Sequence, residues 1–440
     1  MHLRVCSVVL LAIYLAESAA AQSPPAQGSP SPPPQAETLA QKPGTVLITL
    51  DQAIQMAIQH NHSLRAARTV IQQAKAEETT ANLRPNPVLL SDAIFLPVFE
   101  PKSLTPDYLD NVAQWDLGVS YLFERGKKRQ HRLRAAQDQT AVAEAQVTDS
   151  ERTLTFTVAS AFISVELAES TLALATQDLK SFQNTVDIAE ERYKAGDIGE
   201  DDYLKIKLQL LQFQTDVSAS ELARAQGLSD LRQLLGYESV GPDYDVSGSF
   251  KYQPVSGALE DFQSEALKDR PDLQQAQLGV TAAKSQLALQ KADGKRDFTG
   301  EINYTHLAYL SDISLFGQMQ MPIFDRNQGE IARVGFTVSQ AQEQAMFASG
   351  QVMTDVRDAY ENLHANDKIV DLYRSGYLDE AQQSLQISDY AYKRGAASLL
   401  DFLDAERSYR TAQLGYRQAI ASYLLALEQL REAVGTRSIP

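Results

Sequence analysis

Apolar residues recur every seventh position from Val158 to Tyr193, at Val158, Val165, Leu172, Leu179, Val186 and Tyr193, with Ala161, Ala168, Ala175, Phe182 and Ala189 between them. This is a coiled-coil seam. The strict heptad imposes a left-handed supercoil, and alanine at almost every d position lets helix axes approach closely. A turn at Tyr193-Lys194-Ala195-Gly196 sends the chain back into a helix from Asp201 to Leu235. A second stripe, Phe402, Tyr409, Tyr416, Tyr423 and Leu430, marks another returning helix from Leu399 to Val434. The outgoing runs are expected from about Lys127 to Lys194 and from about Gln328 to Lys393. At 1.5 Å per residue each is on the order of 100 Å if unbroken, longer than an ordinary globular domain.

The period changes to two in both halves of the chain. Trp115, Leu117, Val119, Tyr121 and Phe123 alternate with Gln114, Asp116, Gly118 and Ser120, which predicts a strand with one wet face. Its partner is expected within Val88 to Phe99, giving a β-hairpin over about 88–124. The counterpart spans about 297–324. There Phe298, Gly300, Ile302, Tyr304 and His306 share a face, and Ile313, Leu315, Gly317 and Met319 follow a turn expected at Ser311-Asp312. Segments of about ten residues with one apolar and one polar face suit a membrane barrel with an aqueous lumen, and equally an amphipathic hairpin on a soluble core. Ahead of each hairpin a helix is expected, from the capping box at Thr49-Leu-Asp-Gln52 to about Arg84, and from Leu259 to Lys291.

The halves correspond. A shift of 199 residues superposes Tyr193, Lys194, Gly196, Asp202, Leu204, Leu231, Arg232 and Gly236 on Tyr392, Lys393, Gly395, Asp401, Leu403, Leu430, Arg431 and Gly435. Two internal repeats are therefore expected, residues 46–237 and 258–435, with tip turns at 193–199 and 392–398. A Gly-, Pro-, Ser- and Tyr-rich linker, 238–257, joins them, and 436–440 is a tail.

Composition adds an address. Arg4, the apolar run Val8 to Ala16 and Ala19-Ala20-Ala21 predict a signal peptide over 1–21, followed by a Pro-rich extended leader over 22–45. Cys6 is the single cysteine and lies inside the signal, so neither a disulfide nor an N-terminal lipid anchor is expected in the mature chain. The formal charge of −16 disfavours nucleic acid. No later segment offers about 18 consecutive apolar residues, so any membrane crossing falls to strands. Four strands cannot close a barrel, since small barrels need about eight, and lipid tolerates no open edge. The membrane reading therefore requires a cyclic homo-oligomer.

The paired Tyr-x-x-Gly turns, Arg270-Pro271-Asp272-Leu273, and Leu400-Asp401-Phe402-Leu403-Asp404-Ala405 together resemble the TolC-type outer-membrane efflux proteins along nearly the whole mature length. Asn86-Pro87, Gly126-Lys127-Lys128-Arg129 and the segment from Pro322 to Gly329 resemble the cation-efflux branch that includes CzcC and CusC. The resemblance implies a mostly α chain with a small β part, assembled as a homotrimer. A 12-stranded outer-membrane β-barrel would continue into a 12-helix periplasmic α-barrel. It also implies a periplasmic adaptor (membrane fusion protein) and an inner-membrane pump of the RND type as partners, with small molecules or metal cations as cargo.

Asp401 and Asp404 lie three apart on one helical face. Ser398-Leu-Leu-Asp401 also reads as a capping box, so Asp401 has a structural role open to it. The resemblance implies that both carboxylates form constricting rings in the tunnel mouth. It places Tyr392 and Asp202 where a hydrogen bond holds the closed tip, with Tyr193 as the counterpart of Tyr392, and it puts the adaptor grip around Gly196 and Gly395. The family's arginine two residues past the second glycine is Ala397 here. Both glycines read first as positive-φ turn residues. His60 and His62, two apart, cannot face one metal from a helix. No metal site, cofactor or enzymatic motif is expected. The rival reading from another class is a periplasmic coiled-coil adaptor or scaffold.

Overall fold

The computed structural model describes residues 46–248 and 250–438. The expected signal and leader, 1–45, lie outside the described residues, as do the last two positions of the tail. In chain order the elements are β1 (Val46–Ile48), α1 (Leu50–His60), α2 (His62–Asn82), β2 (Val88–Ile94), α3 (Pro106–Asn111), β3 (Gln114–Phe123), α4 (Lys128–Ala195), α5 (Glu200–Leu235), β4 (Tyr244–Val246), α6 (Leu259–Asp269), α7 (Pro271–Asp293), β5 (Phe298–Leu307), β6 (Leu310–Met319), α8 (Gln328–Leu372), a π-turn (Tyr373–Tyr377), α9 (Leu378–Lys393) and α10 (Leu399–Val434). The protein is mostly helical with a small β part. It divides into a β unit, from Arg84–Lys128 and Asp293–Arg326, and a helical unit formed by the other described residues.

The β unit is one antiparallel sheet of order β2-β3-β5-β6. The two expected hairpins are fused, because β3 pairs β5 from Gln114↔Leu307 to Phe123↔Phe298. The turn of the second hairpin is corrected from Ser311-Asp312 to Ala308-Tyr309, closed by the pair Leu307↔Leu310 with Ala308 at φ 48°. The reason is physical. Any even shift of register leaves the same residues on the same face, so alternation fixes the face and not the turn. At the other end of the sheet Asp297 accepts from the Arg125 amide at 2.8 Å and from Lys128 Nζ at 2.7 Å, joining the ends of β3 and β5.

In the helical unit the single helix expected from Thr49 to Arg84 is broken at Asn61, and that from Leu259 to Lys291 at Arg270. Both break residues are extended, with ψ 122°. Asn61 ends α1 and caps α2, its side chain accepting from the Leu64 amide. Arg270 precedes Pro271, which disfavours helical geometry before it and suits the first turn after it. Each break is tied to the end of a returning helix. Asn61 Nδ2 donates to the Leu234 carbonyl at 2.9 Å, and Arg270 Nη1 to the Ala433 carbonyl at 3.3 Å. Gly236 and Gly435, both at positive φ, terminate those helices; a Cβ on Gly236 would come within 2.8 Å of the His60 carbonyl.

The 238–257 linker is partly built. Its β4 pairs in parallel with β1, Val46↔Tyr244 to Ile48↔Val246, and the Tyr244 hydroxyl donates to the Leu228 carbonyl. The α4 heptad buries Val158 and Val165 against Leu231, Leu235 and Val246. One 18-residue window of α4 is apolar enough by mean composition to cross a membrane, though not an unbroken apolar run, and 44% of it is buried within the protein. The α10 stripe packs Tyr423 and Leu430 on Val352, Val356 and Leu363 of α8. The second outgoing run is not continuous as expected. It is interrupted by the π-turn, where Gly376 takes φ 131° and ψ −15°.

Candidate functional site

The sheet register sorts side chains onto two unlike faces. Leu89, Val119, Ile302 and Leu315 form one cross-strand row, and Leu117, Tyr304 and Ile313 continue the same face. These side chains are exposed, Leu315 at 76% and Ile313 at 73%, so the apolar face is left uncovered by the chain itself. The opposite face carries the row Asp92, Asp116, Thr305 and Asp312. Thr305 donates its hydroxyl proton to Asp116, and Gln114 Nε2 donates to the same carboxylate at 2.7 Å. Among the described residues β2 and β6 each have one unpaired edge.

A groove of about 930 Å³ in the helical unit is lined by α2, α4, α7 and α8. Its wall is mainly alanine and uncharged amides, including Gln139, Gln275, Gln286, Gln340 and Gln344. Glu77, Arg132 and Asp272 also line it.

The two tips end alike. Gly196 at φ 82° donates to the Tyr193 carbonyl at 3.0 Å and Asp197 to that of Arg192 at 2.8 Å; Gly395 at φ 70° donates to Tyr392 at 3.0 Å and Ala396 to Ala391 at 2.9 Å. Glycine is needed at both because the left-handed region penalises a Cβ. After the second turn Ser398 and Asp401 form the capping box, with the Ser398 amide donating to Asp401 Oδ2 at 3.0 Å and the Asp401 amide to Ser398 Oγ at 3.2 Å. The Ser398 hydroxyl, which donates to Asp401 Oδ2 at 2.8 Å, and the Ser398 amide hold the Asp401 carboxyl below its ordinary pKa. Asp404 is exposed, with Arg407 at 3.7 Å.

Tyr392 and Asp202 are neighbours without the expected hydrogen bond. The Tyr392 hydroxyl is buried and unpartnered, and burial pushes its pKa up. Its ring stacks on Phe402 at 5.4 Å, while the Arg192 guanidinium lies 5.2 Å from the ring centroid. Tyr193 stacks on Tyr203 at 5.2 Å. Arg192 was not singled out from the sequence, and nothing in its local pattern marks it. His62 meets Glu238 at 3.0 Å.

The profile of outer membrane efflux proteins matches residues 53–237 and 263–436, which together span most of the chain. This chain belongs to the outer membrane efflux protein family. It is similar to the cobalt-zinc-cadmium resistance protein CzcC of Cupriavidus metallidurans, 23% identical over 380 residues that cover 84% of this chain and 85% of CzcC. Its fold is that of a membrane protein of Pseudomonas aeruginosa (TM-score 0.75, 20% identity, 94% and 99% of the two chains covered). CusC, a cation efflux system protein, has the same fold (TM-score 0.74, 19% identity, coverage 94% and 99%). The chain is thus an outer-membrane efflux channel, the exit duct of a tripartite system, with a long periplasmic helical part. The adaptor or scaffold alternative finds no support among these relatives.

Proposed function

We propose that three copies close their sheets edge to edge into a 12-stranded barrel, continued in the periplasm by a 12-helix tunnel. The observation that carries this reading is the four-stranded sheet with an exposed apolar face, a polar opposite face and two open edges. An open edge in lipid costs several kcal/mol per unsatisfied backbone group, and a second and third copy remove that cost. Each protomer is built from two repeats, 46–237 and 258–435. The duct is passive, and an RND-type pump and a periplasmic adaptor load it, the adaptor gripping around Gly196 and Gly395. Small molecules or metal cations are the cargo.

In this reading Asp401 and Asp404 present two levels of three carboxylates at the tunnel mouth, and the Ser398 cap orients the first level without consuming its charge. Tyr392, Asp202 and Tyr193 pack the closed tip. Single-channel recording in planar bilayers tests the rings. Replacing both aspartates, Asp401→Ala and Asp404→Ala, is expected to raise conductance and weaken block by multivalent cations. Unchanged block removes the rings and leaves Asp401 as a cap.

A further inference from the structure

The second helical hairpin is seated on the first through charges, and those charges do not balance. From α10, Arg410 Nη1 donates to Asp216 Oδ2 on α5 at 2.5 Å and its guanidinium lies 5.1 Å from the Phe213 ring centroid. About two turns further on, Arg417 Nε donates to the Ser170 carbonyl at 3.2 Å and hydroxyl at 3.1 Å on α4. Two more carboxylates stand at this seam, Asp178 from α4 and Glu406 from α10, both half-buried. Among the described residues neither forms a hydrogen bond or an ion pair.

The groups facing Glu406 are Asp178 from α4, Asp216 from α5, and Arg407 and Arg410 from its own helix. Arg417 completes the set through Asp178, with Tyr409 and Tyr416 beside it. Arg407 is mostly solvated and turned to Asp404. The seam therefore holds three carboxylates, Asp178, Asp216 and Glu406, against two guanidiniums, Arg410 and Arg417. One negative charge is in excess. Burying it without a partner is costly, and protonation of one carboxyl is the cheapest relief.

We propose that this cluster is a pH-sensitive fastener: with Glu406 protonated the seam is neutral and α10 seats on α4 and α5, and with Glu406 ionised the surplus charge loosens that seat. Its consequence for conduction rests on the gated-duct reading above. Burial, outweighing the Arg410 guanidinium, pushes Glu406 from the ordinary glutamate value of 4.5 up to about 7. A carboxyl raised in the seated state binds its proton more tightly there than when released. Seating is therefore strongest below the ordinary value, weakens as pH rises towards 7, and levels off above it. The limit is about tenfold per pH unit per protomer, and solvent screening of a half-buried group makes the slope shallower.

The test uses the full chain in detergent and in planar bilayers. Hydrogen exchange of the 399–417 segment, corrected for the intrinsic pH dependence of exchange, is expected to quicken between pH 5 and pH 7 and to change little from 7.5 to 8.5. Open-channel probability should rise over the same window. Glu406→Gln is expected to hold both readouts at their low-pH level throughout. Asp178→Asn, which balances the seam with Glu406 ionised, should shift the transition to lower pH. Corrected exchange that does not vary with pH, or a transition that survives Glu406→Gln, overturns the fastener. Exchange that follows the expected course in a chain with no conductance at any pH supports the fastener and counts against the gated duct instead.

Discussion

The two outgoing helices have like tips and unlike shafts. The first, α4, runs unbroken for 68 residues and is stapled low down by the stack of Phe182 on Phe213 at 4.5 Å. The second is cut by a π-turn, and α9 beyond it contains no fully buried residue, against six in α8 before it. Above the cut the linker holds the shaft firmly. Tyr252 donates to Asp367, sets its ring edge-on to Tyr423 at 4.8 Å, and lies under the Arg374 guanidinium at 5.0 Å. Below the cut the restraint is Leu399 and Phe402 reaching into the Phe182, Val186, Ile206 and Phe213 cluster. The two hairpins are thus asymmetric: a stiff first hairpin serves as the frame, and a second, bent at Gly376 and lightly packed beyond it, is the part freer to move.

The largest expected effect comes from removing the restraint on the moving half. Phe402 is 4% exposed and stacks on Tyr392, so Phe402→Ala should cost about 3–5 kcal/mol of packing. The readout is limited proteolysis at the tips, which should become many-fold faster in α9 and α10 while α4 stays resistant. Equal acceleration in both hairpins would erase the comparison. Next is the hinge. A side chain on Gly376 meets nothing nearer than Glu380 Oε1 at 3.9 Å, so the cost of Gly376→Ala lies in backbone strain at φ 131°, about 1–3 kcal/mol. Straightening the shaft should slow amide exchange over 373–378 by about tenfold for each 1.4 kcal/mol gained by the helix.

The converse change sharpens the same point. Gln177 stands 199 residues before Gly376, in the uninterrupted α4. Gln177→Gly should cost only about 1 kcal/mol and leave the helix whole, because glycine permits a break without imposing one. Circular dichroism and local exchange report whether it does. The smallest effect belongs to Arg192→Ala, which removes the cation over the Tyr392 ring and should loosen the tip by about 0.5–1 kcal/mol, seen as a modest rise in tip proteolysis.

What could be read in advance follows the same division between local and distant causes. The seam residues Val158 to Tyr193, the faces of β3 and β5, the Thr49 and Ser398 caps and the tip glycines are legible because periodicity and capping are local. The break at Arg270 is less legible, although Pro271 marks it, because helix-forming residues continue on both sides and a proline also suits a first helical turn. Gly376 is not legible as a break, because a lone glycine costs a helix about 1 kcal/mol and most are tolerated. The charged seam was out of reach. Asp178, Asp216 and Glu406 come from three helices, and only packing reveals that two guanidiniums, Arg410 and Arg417, stand among them. The absent bond between Tyr392 and Asp202 belongs here as well, since the ring is fixed by Phe402 and Arg192 and its hydroxyl is buried without a partner.

All of this presupposes that the open sheet is closed by other copies of the same chain. Native mass spectrometry of the detergent-extracted protein measures that directly. The account predicts a particle of three chains that survives mild heating and loses its integrity when charge is placed on the apolar sheet face at Ile302 or Leu315. A monodisperse monomer, or a particle with a number of chains other than three, would contradict it.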